Sequence, residues 1–258
     1  MKEFLHIKNL TITIPSVGES HYIVKDVSFV MPELSITAIV GGSGSGKTTT
    51  GLAVLRLLDP ALKIQQGQIF FENQDILKLS EKEIRSLRGG SISMIFQEPL
   101  NAFNPVFTIG YQIDEMLCFH TKLNKAQRQK KIEELLDLVG LPDPQRVKNN
   151  YPHQLSGGMR QRAMIAQAIS ANPKLIIADE PTSNLDVTLQ AHIIELFRKL
   201  RKELNLSILL ITHDLGMVEH VADEVVVMCN AQVVEKGSVQ EVINNPQHEY
   251  TKQLMAAV

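Results

Sequence analysis

The sequence predicts an α/β fold with a mostly parallel sheet and an inserted helical segment. Three observations predict it. Short apolar runs alternate with helical patterns in both the first and the last third of the chain, which is the order that builds βαβ units. A glycine-rich segment, GGSGSGKT, stands between one such run and a helical pattern, the strand–loop–helix context of a phosphate loop. From about residue 99 to 172 the strand signals stop and helical periodicity takes over.

In chain order, Leu5–Ile14 and Tyr22–Val30 read as strands with partial alternation around a turn at Pro15–Gly18. Ser35–Val40 is a short apolar strand, and Thr48–Leu58 reads as a helix. Gln68–Phe71 is a strand, Ser80 with Glu83 forms a capping box for a helix to Leu87, and Ile92–Phe96 is a strand. Thr108 to Gly140 is helical, with Asn124 as an N-cap before its charged amphipathic part. A breaker-rich connector from Pro142 to Pro152 leads to a helix over Gly157–Ala171. Strand Leu175–Asp179, helix Val187–Leu204, strand Ile208–Thr212, helix Leu215–Val221, strands Val225–Met228 and Gln232–Glu235 and two further helices complete the chain.

Composition narrows the function. Apolar residues are 44% of 258, enough for one sizeable core, and the net charge of −2 lacks the basic field of a non-specific nucleic-acid binder. Cys118 and Cys229 lack metal-ligand spacing and are expected to be reduced thiols. MKEFLHIKNL carries no apolar h-region, so no secretory signal is expected. The apolar runs 207–211 and 225–228 fall far short of the roughly 18 residues of a membrane span.

The chemistry-bearing residues fall into three groups. In the first, Gly41, Gly42, Ser43, Gly44, Ser45, Gly46, Lys47 and Thr48 fit G-x-x-x-x-G-K-[ST]. Glycines let successive N–H groups face an anion, and the following helix adds its positive end. Lys47 is expected to reach the β- and γ-phosphates of a nucleotide, and Thr48 to offer its hydroxyl to Mg²⁺. In the second, the apolar strand Leu175–Ala178 runs into Asp179 and Glu180, suited to hold the metal and to polarise the attacking water. His213, after a strand, is a candidate to hold the γ-phosphate, and Gln97, after another, to touch Mg²⁺ and the water. In the third, Leu155-Ser156-Gly157-Gly158-Met159-Arg160-Gln161-Arg162 makes a second anion-binding helix start. One site has no use for two such surfaces on the same γ-phosphate, whereas two chains facing head to tail do.

With these motifs in this order, the sequence resembles the ATP-binding subunits of ABC transporters over nearly its whole length. GGSGSGKT is similar to Walker A, LIIADE to Walker B, LSGGMRQR to the signature, Gln97 to the Q-loop, Ser183–Asp186 to the D-loop and His213 to the switch histidine. The resemblance implies a RecA-like P-loop NTPase core with an antiparallel β subdomain over 1–98 and 173–258, and a helical subdomain over about 99–172. It implies ATP and Mg²⁺ as cofactors, sandwiched between Walker A of one subunit and the signature of another, with Thr49 and Asp186 among the nucleotide contacts. Ile14 stands where the family usually has an adenine-stacking aromatic, so Tyr22, the nearest aromatic, takes that candidacy. Asn184 stands in the D-loop where Ala is common.

MIFQEPLNAFNPVFTIGYQI, YPHQLSGGMRQR and NPQHEYTKQL look like the ATPases of peptide and nickel importers. That implies a peripheral place on the cytoplasmic face of the membrane, a second related ATPase chain, two membrane-spanning permease subunits and an extracytoplasmic binding protein. Peptide is the expected cargo, with nickel or a metal chelate as the alternative. A soluble DNA-repair or chromosome ATPase shares the signature but carries long coiled coils, and the insertion 99–172 shows no sustained heptad.

Overall fold

The computed structural model describes residues 3–15, 21–98, 102–183 and 185–256. The expected turn at Pro15–Gly18 lies largely outside them, as does Asn184. The chain divides into two compact units, Met1–Arg85 with Ser207–Val258, and Ser86–Leu206.

The first unit holds an antiparallel sheet of order β2-β1-β4-β5, from β1 (Glu3–Ile14), β2 (His21–Pro32), β4 (Lys63–Phe71) and β5 (Gln74–Asp75). The partial alternation of β1 and β2 has a structural cause. Leu5, Ile7, Leu10 and Ile12 are all buried, as are Val24, Val27, Phe29 and Met31, so each strand contains one three-residue step. Those steps hold Asn9 and Asp26, both with positive φ, and Asn9 Nδ2 donates to Asp26 Oδ1 at 2.8 Å. Paired bulges thus restore the inward face after one extra residue in each strand. β4 begins five residues earlier than its apolar content predicts, because Ile64 pairs with Ile12 and Lys63 with Thr13.

In the same unit β3 (Ile36–Val40) lies between β8 (Ser207–Thr212) and β9 (Glu224–Cys229), parallel to both, and β10 (Gln232–Ser238) runs antiparallel on β9. β3 and β8 are buried throughout, as parallel strands covered on both faces must be. Helices α1 (Lys47–Val54), α8 (Leu215–Val221), α9 (Val239–Asn244) and α10 (Glu249–Ala256) belong here. α1 stops four residues before the expected Leu58. Arg56 takes the left-handed conformation at φ 52°, and the N–H groups of Leu57 and Arg56 turn back to the Leu52 and Ala53 carbonyls, a Schellman closure built without glycine. Arg56 is held there by Leu79 O at 2.6 Å and Glu81 on α2 (Glu81–Leu87) at 2.5 Å.

The second unit pairs β6 (Ile92–Ile95) parallel with β7 (Leu175–Asp179). It carries α3 (Ile109–His120), α4 (Lys125–Leu138), α5 (Pro144–Val147), α6 (Gly157–Ile169) and α7 (Val187–Leu204). The helical stretch expected from Thr108 to Gly140 is two helices. Thr121 Oγ1 caps the Leu117 carbonyl at 2.6 Å, and Asn124 opens α4 with a reciprocal capping box to Gln127. α7 spans the expected residues, with Asp186 as its N-cap and Asn205, at φ 51°, past its end.

Asn124→Ala removes one cap and leaves the Gln127 N–H unsatisfied. It should cost about 1 kcal/mol and lower the thermal midpoint by about 2–4 °C, while Asn124→Ser keeps it within about a degree by calorimetry.

Candidate functional site

The phosphate loop leaves the C-terminal end of β3 through a gap that admits only hydrogen. Gly41 has φ 154°, and a Cβ there would overlap the Met228 carbonyl of β9. At the other end, Gly46 caps α1 at φ 95°, and a Cβ would overlap the Ile23 carbonyl of β2. Between these posts Ser43 and Gly44 are exposed, and Ser45 is buried with its Oγ donating to Gly42 O at 2.8 Å. Lys47, only 6% exposed, curls back so that its ammonium donates to the carbonyls of Gly41 and Gly42, both at 2.8 Å. Thr48 is exposed at the first turn of α1, and Thr49 is half-buried beside it. An anion entering the loop would meet backbone N–H groups, a helix start and an ammonium bonded to two backbone carbonyls; charge-assisted bonds to phosphate exceed bonds to carbonyls.

Register places His213. Val40 pairs with Thr212, so His213 and Gly41 are the next residues on adjacent parallel strands. His213 is exposed, and Asp214 beside it is fixed by bonds to Thr212 Oγ1 and from Met217 N. The Gly42 N–H donates to Tyr250 Oη of α10 at 2.7 Å. The sequence pattern singled out the ending around Tyr250 but gave it no role; a contact spanning 208 positions leaves no local signal. Tyr22 is 47% exposed, with the Lys25 ammonium 5.2 Å from its ring centre. It lines a polar cavity of about 870 Å³ with Lys8, Asn9, Asp26 and Gln66, and none of residues 41–48 lines that cavity.

The second unit assembles the carboxylates. Ile95 pairs with Ala178, and two residues further along each strand stand Gln97 and Glu180. Gln97 Nε2 donates to Glu180 Oε2 at 2.9 Å. Glu180 has φ 44°, a left-handed conformation that costs a non-glycine residue about 1 kcal/mol or more. Ser183 holds it there, its N–H and Oγ both donating to the Glu180 carbonyl, with a further bond from Oγ to Gln97 O at 3.3 Å. Ser183 is a positioning contact that the sequence pattern placed in the D-loop without a role. Asp179 ends β7 only 4% exposed.

The LSGGMRQR segment opens α6. Ser156 is the N-cap, its Oγ accepting from Met159 N at 3.3 Å. The two glycines differ. A Cβ on Gly158 would press on the Leu189 side chain of α7 at 3.1 Å, whereas a Cβ on Gly157 would meet nothing within 4 Å. Ser156 and Gly157 are exposed. Among the described residues none outside its own helix and chain neighbours comes within 4 Å of where a Gly157 Cβ would stand, at the positive end of a 13-residue helix. Asp186 is exposed and spends one carboxylate oxygen on the Leu189 N–H. Among the described residues no group of three or more His, Cys, Asp or Glu is placed to hold a metal.

The chain is similar to known proteins. The model of the ABC transporter family matches residues 24–183. The oligopeptide transport ATP-binding protein OppD of Bacillus subtilis is 47% identical over 255 residues, 98% of this chain and 71% of that protein. The dipeptide transport ATP-binding protein DppD of the same organism is 45% identical, over 100% and 77%. The dimeric post-hydrolysis structure of the ATP-binding cassette MJ0796 bound to ADP and Pi superposes with a TM-score of 0.82 at 28% identity, covering 92% of this chain and 99% of that one. The fold is that of the P-loop NTPases, and the length of these matches leaves one assignment: this chain belongs to the ABC transporter family.

Proposed function

We propose that this chain is the ATP-hydrolysing motor subunit of an importer that carries peptides across the cytoplasmic membrane. The observation that carries the reading is the Gln97–Glu180 pair, a carboxylate held in a strained turn by an amide from the neighbouring strand end. Gly41–Thr48, with Thr49 and His213, are assigned to the phosphates, and Asp179 and Glu180 supply the acid and the base.

In this reading Lys47 turns from its two carbonyls to the β- and γ-phosphates, and the loop amides bind the oxygens between them. Glu180 accepts the proton of the attacking water, His213 keeps the γ-phosphate and water in line, and ADP and phosphate leave. An Mg²⁺ on the phosphates would take the Thr48 hydroxyl, the Asp179 carboxylate and the Gln97 amide oxygen, which the bond from Gln97 Nε2 to Glu180 leaves available. These are hard oxygen donors, the type Mg²⁺ prefers. The cation supplies neutralisation of charge on the phosphoryl oxygens.

Ser156, Gly157 and Gly158 then serve the nucleotide of a second ATPase chain, a related partner in a heterodimer, with Asp186 at the same interface. The division into a RecA-like core with its β subdomain (1–98 and 173–258) and a helical subdomain (about 99–172) belongs to this reading. Val106, Phe107 and Tyr111 are 68%, 41% and 53% exposed, and the last two rings stack at 4.6 Å. An apolar surface of this kind supports docking on two membrane-spanning permease subunits. Among the described residues no helix is long and apolar enough to cross a membrane, so membrane attachment runs through those subunits at the cytoplasmic face. An extracytoplasmic binding protein would deliver the cargo. Peptide as cargo follows the names of the Bacillus relatives; nickel or a metal chelate is the alternative. Tyr22 keeps its candidacy for adenine through ring exposure alone.

Glu180→Gln should bind ATP as the parent does, lose turnover by about a hundredfold or more and accumulate ATP-dependent dimers on size-exclusion chromatography. Near-normal phosphate release by that variant would sink the role of Glu180. Lys47→Ala should weaken ATP binding by about tenfold or more, the loss of one charge-assisted contact, read by calorimetric titration. Vesicles holding the assembled transporter should take up labelled peptide; uptake of nickel without peptide would reassign the cargo.

A further inference from the structure

The NPQHEYTKQL ending folds onto the phosphate loop. Glu235 on β10 accepts from the N–H of Gln247 at 2.8 Å and of His248 at 3.0 Å, and His248 Nδ1 accepts from Tyr250 N at 3.1 Å. Burial pushes the Glu235 carboxyl up, but these N–H donors outweigh it and hold it below its ordinary value, so the clamp carries its charge at neutral pH. Thr251, the next residue, is fully buried. α10 is thereby docked with one ring aimed at the loop, and Tyr250 Oη accepts from Gly42 N–H at 2.7 Å.

That bond acts on one peptide plane. In a trans peptide the carbonyl of one residue and the N–H of the next point in opposite directions. The Gly41 carbonyl and the Gly42 N–H share such a plane. Tyr250 holds the N–H side and the Lys47 ammonium holds the carbonyl side. Glycine stands on both flanks, so no side chain limits rotation of the plane. The next carbonyl, Gly42 O, accepts from Lys47 Nζ and Ser45 Oγ. The missing side chain at position 42 also makes room, since a Cβ there would lie 3.1 Å from Tyr250 Oη.

We propose that Tyr250 is a positioning residue for nucleotide binding: its hydroxyl locks the Gly41–Gly42 peptide, and through it the Lys47 ammonium, in the geometry that receives the phosphates. The inference rests on the reading of Gly41–Thr48 as the ATP site. It assigns the C-terminal helix a place in the nucleotide cycle, because any partner that pulls α10 away releases the plane and loosens the loop.

The test uses the full chain and ADP as probe. Tyr250→Phe removes only the hydroxyl, and should raise the Kd for ADP about fivefold, the worth of one neutral hydrogen bond, with the nucleotide-free thermal midpoint unchanged. Lys252→Ala, on an exposed residue of the same helix, should change neither. Gly42→Ala should weaken binding as well, and combined with Tyr250→Phe should add less than its own effect, since both disturb one contact. Unchanged or tighter ADP binding by Tyr250→Phe would overturn the inference while leaving the ATP site intact. So would a weakening matched by a lower midpoint and shared by Lys252→Ala, which would mark helix docking alone. Failure of the parent chain to bind ADP would overturn both readings.

Discussion

The structure depends on how closely backbone can approach backbone at the two ends of the phosphate loop. At Gly41 the chain passes the Met228 carbonyl, and at Gly46 it passes the Ile23 carbonyl, with no space for a methyl group at either point. One contact ties the loop to β9, the other to β2, so the loop is fixed by both sheets of its unit. Everything downstream inherits that fixity. α1 starts where Gly46 ends, Lys47 curls inward, and the parallel partner of β3 delivers His213 at the same level.

The second unit solves a different problem by strain rather than by space. Parallel pairing of β6 and β7 puts Gln97 and Glu180 at equal distances past the paired Ile95 and Ala178. A left-handed turn at Glu180, stitched by Ser183, then sends the chain away while the carboxylate stays beside the amide. The turn is held by the Ser183 N–H and hydroxyl on the Glu180 carbonyl and by the Gln97 amide on its carboxylate, a pattern expected where a reactive group has to be held still. The helix start at Ser156 follows a third logic. It is capped by the Ser156 hydroxyl, yet keeps Gly157 bare.

Much of this was legible in the sequence, and the rest was hidden for identifiable reasons. Strands buried on both faces, such as Ile36–Val40 and Leu175–Asp179, are continuous apolar runs, and α7 and α8 span the residues their patterns predict. The end of α1 was not visible, because an arginine in the left-handed conformation carries no sequence mark and depends on Leu79 and Glu81 to hold it. β1 and β2 read as imperfect strands because their bulges shift the period by one residue in each. The phosphate loop, Asp179, Glu180 and the LSGG segment announce themselves by residue type and spacing. The links that organise them, Gln97 to Glu180 and Gly42 to Tyr250, join positions 83 and 208 apart, where spacing says nothing.

The inward curl of Lys47 has a consequence for selectivity. With its ammonium already satisfied by two carbonyls and shielded from water, the loop presents no bare positive charge to the surrounding solution. A weak or monovalent anion gains too little to dislodge the lysine from its internal partners. A polyphosphate, which can occupy several amides at once, gains enough. In the reading of this loop as the nucleotide site, displacing the lysine takes a ligand of high charge density rather than a lone small anion.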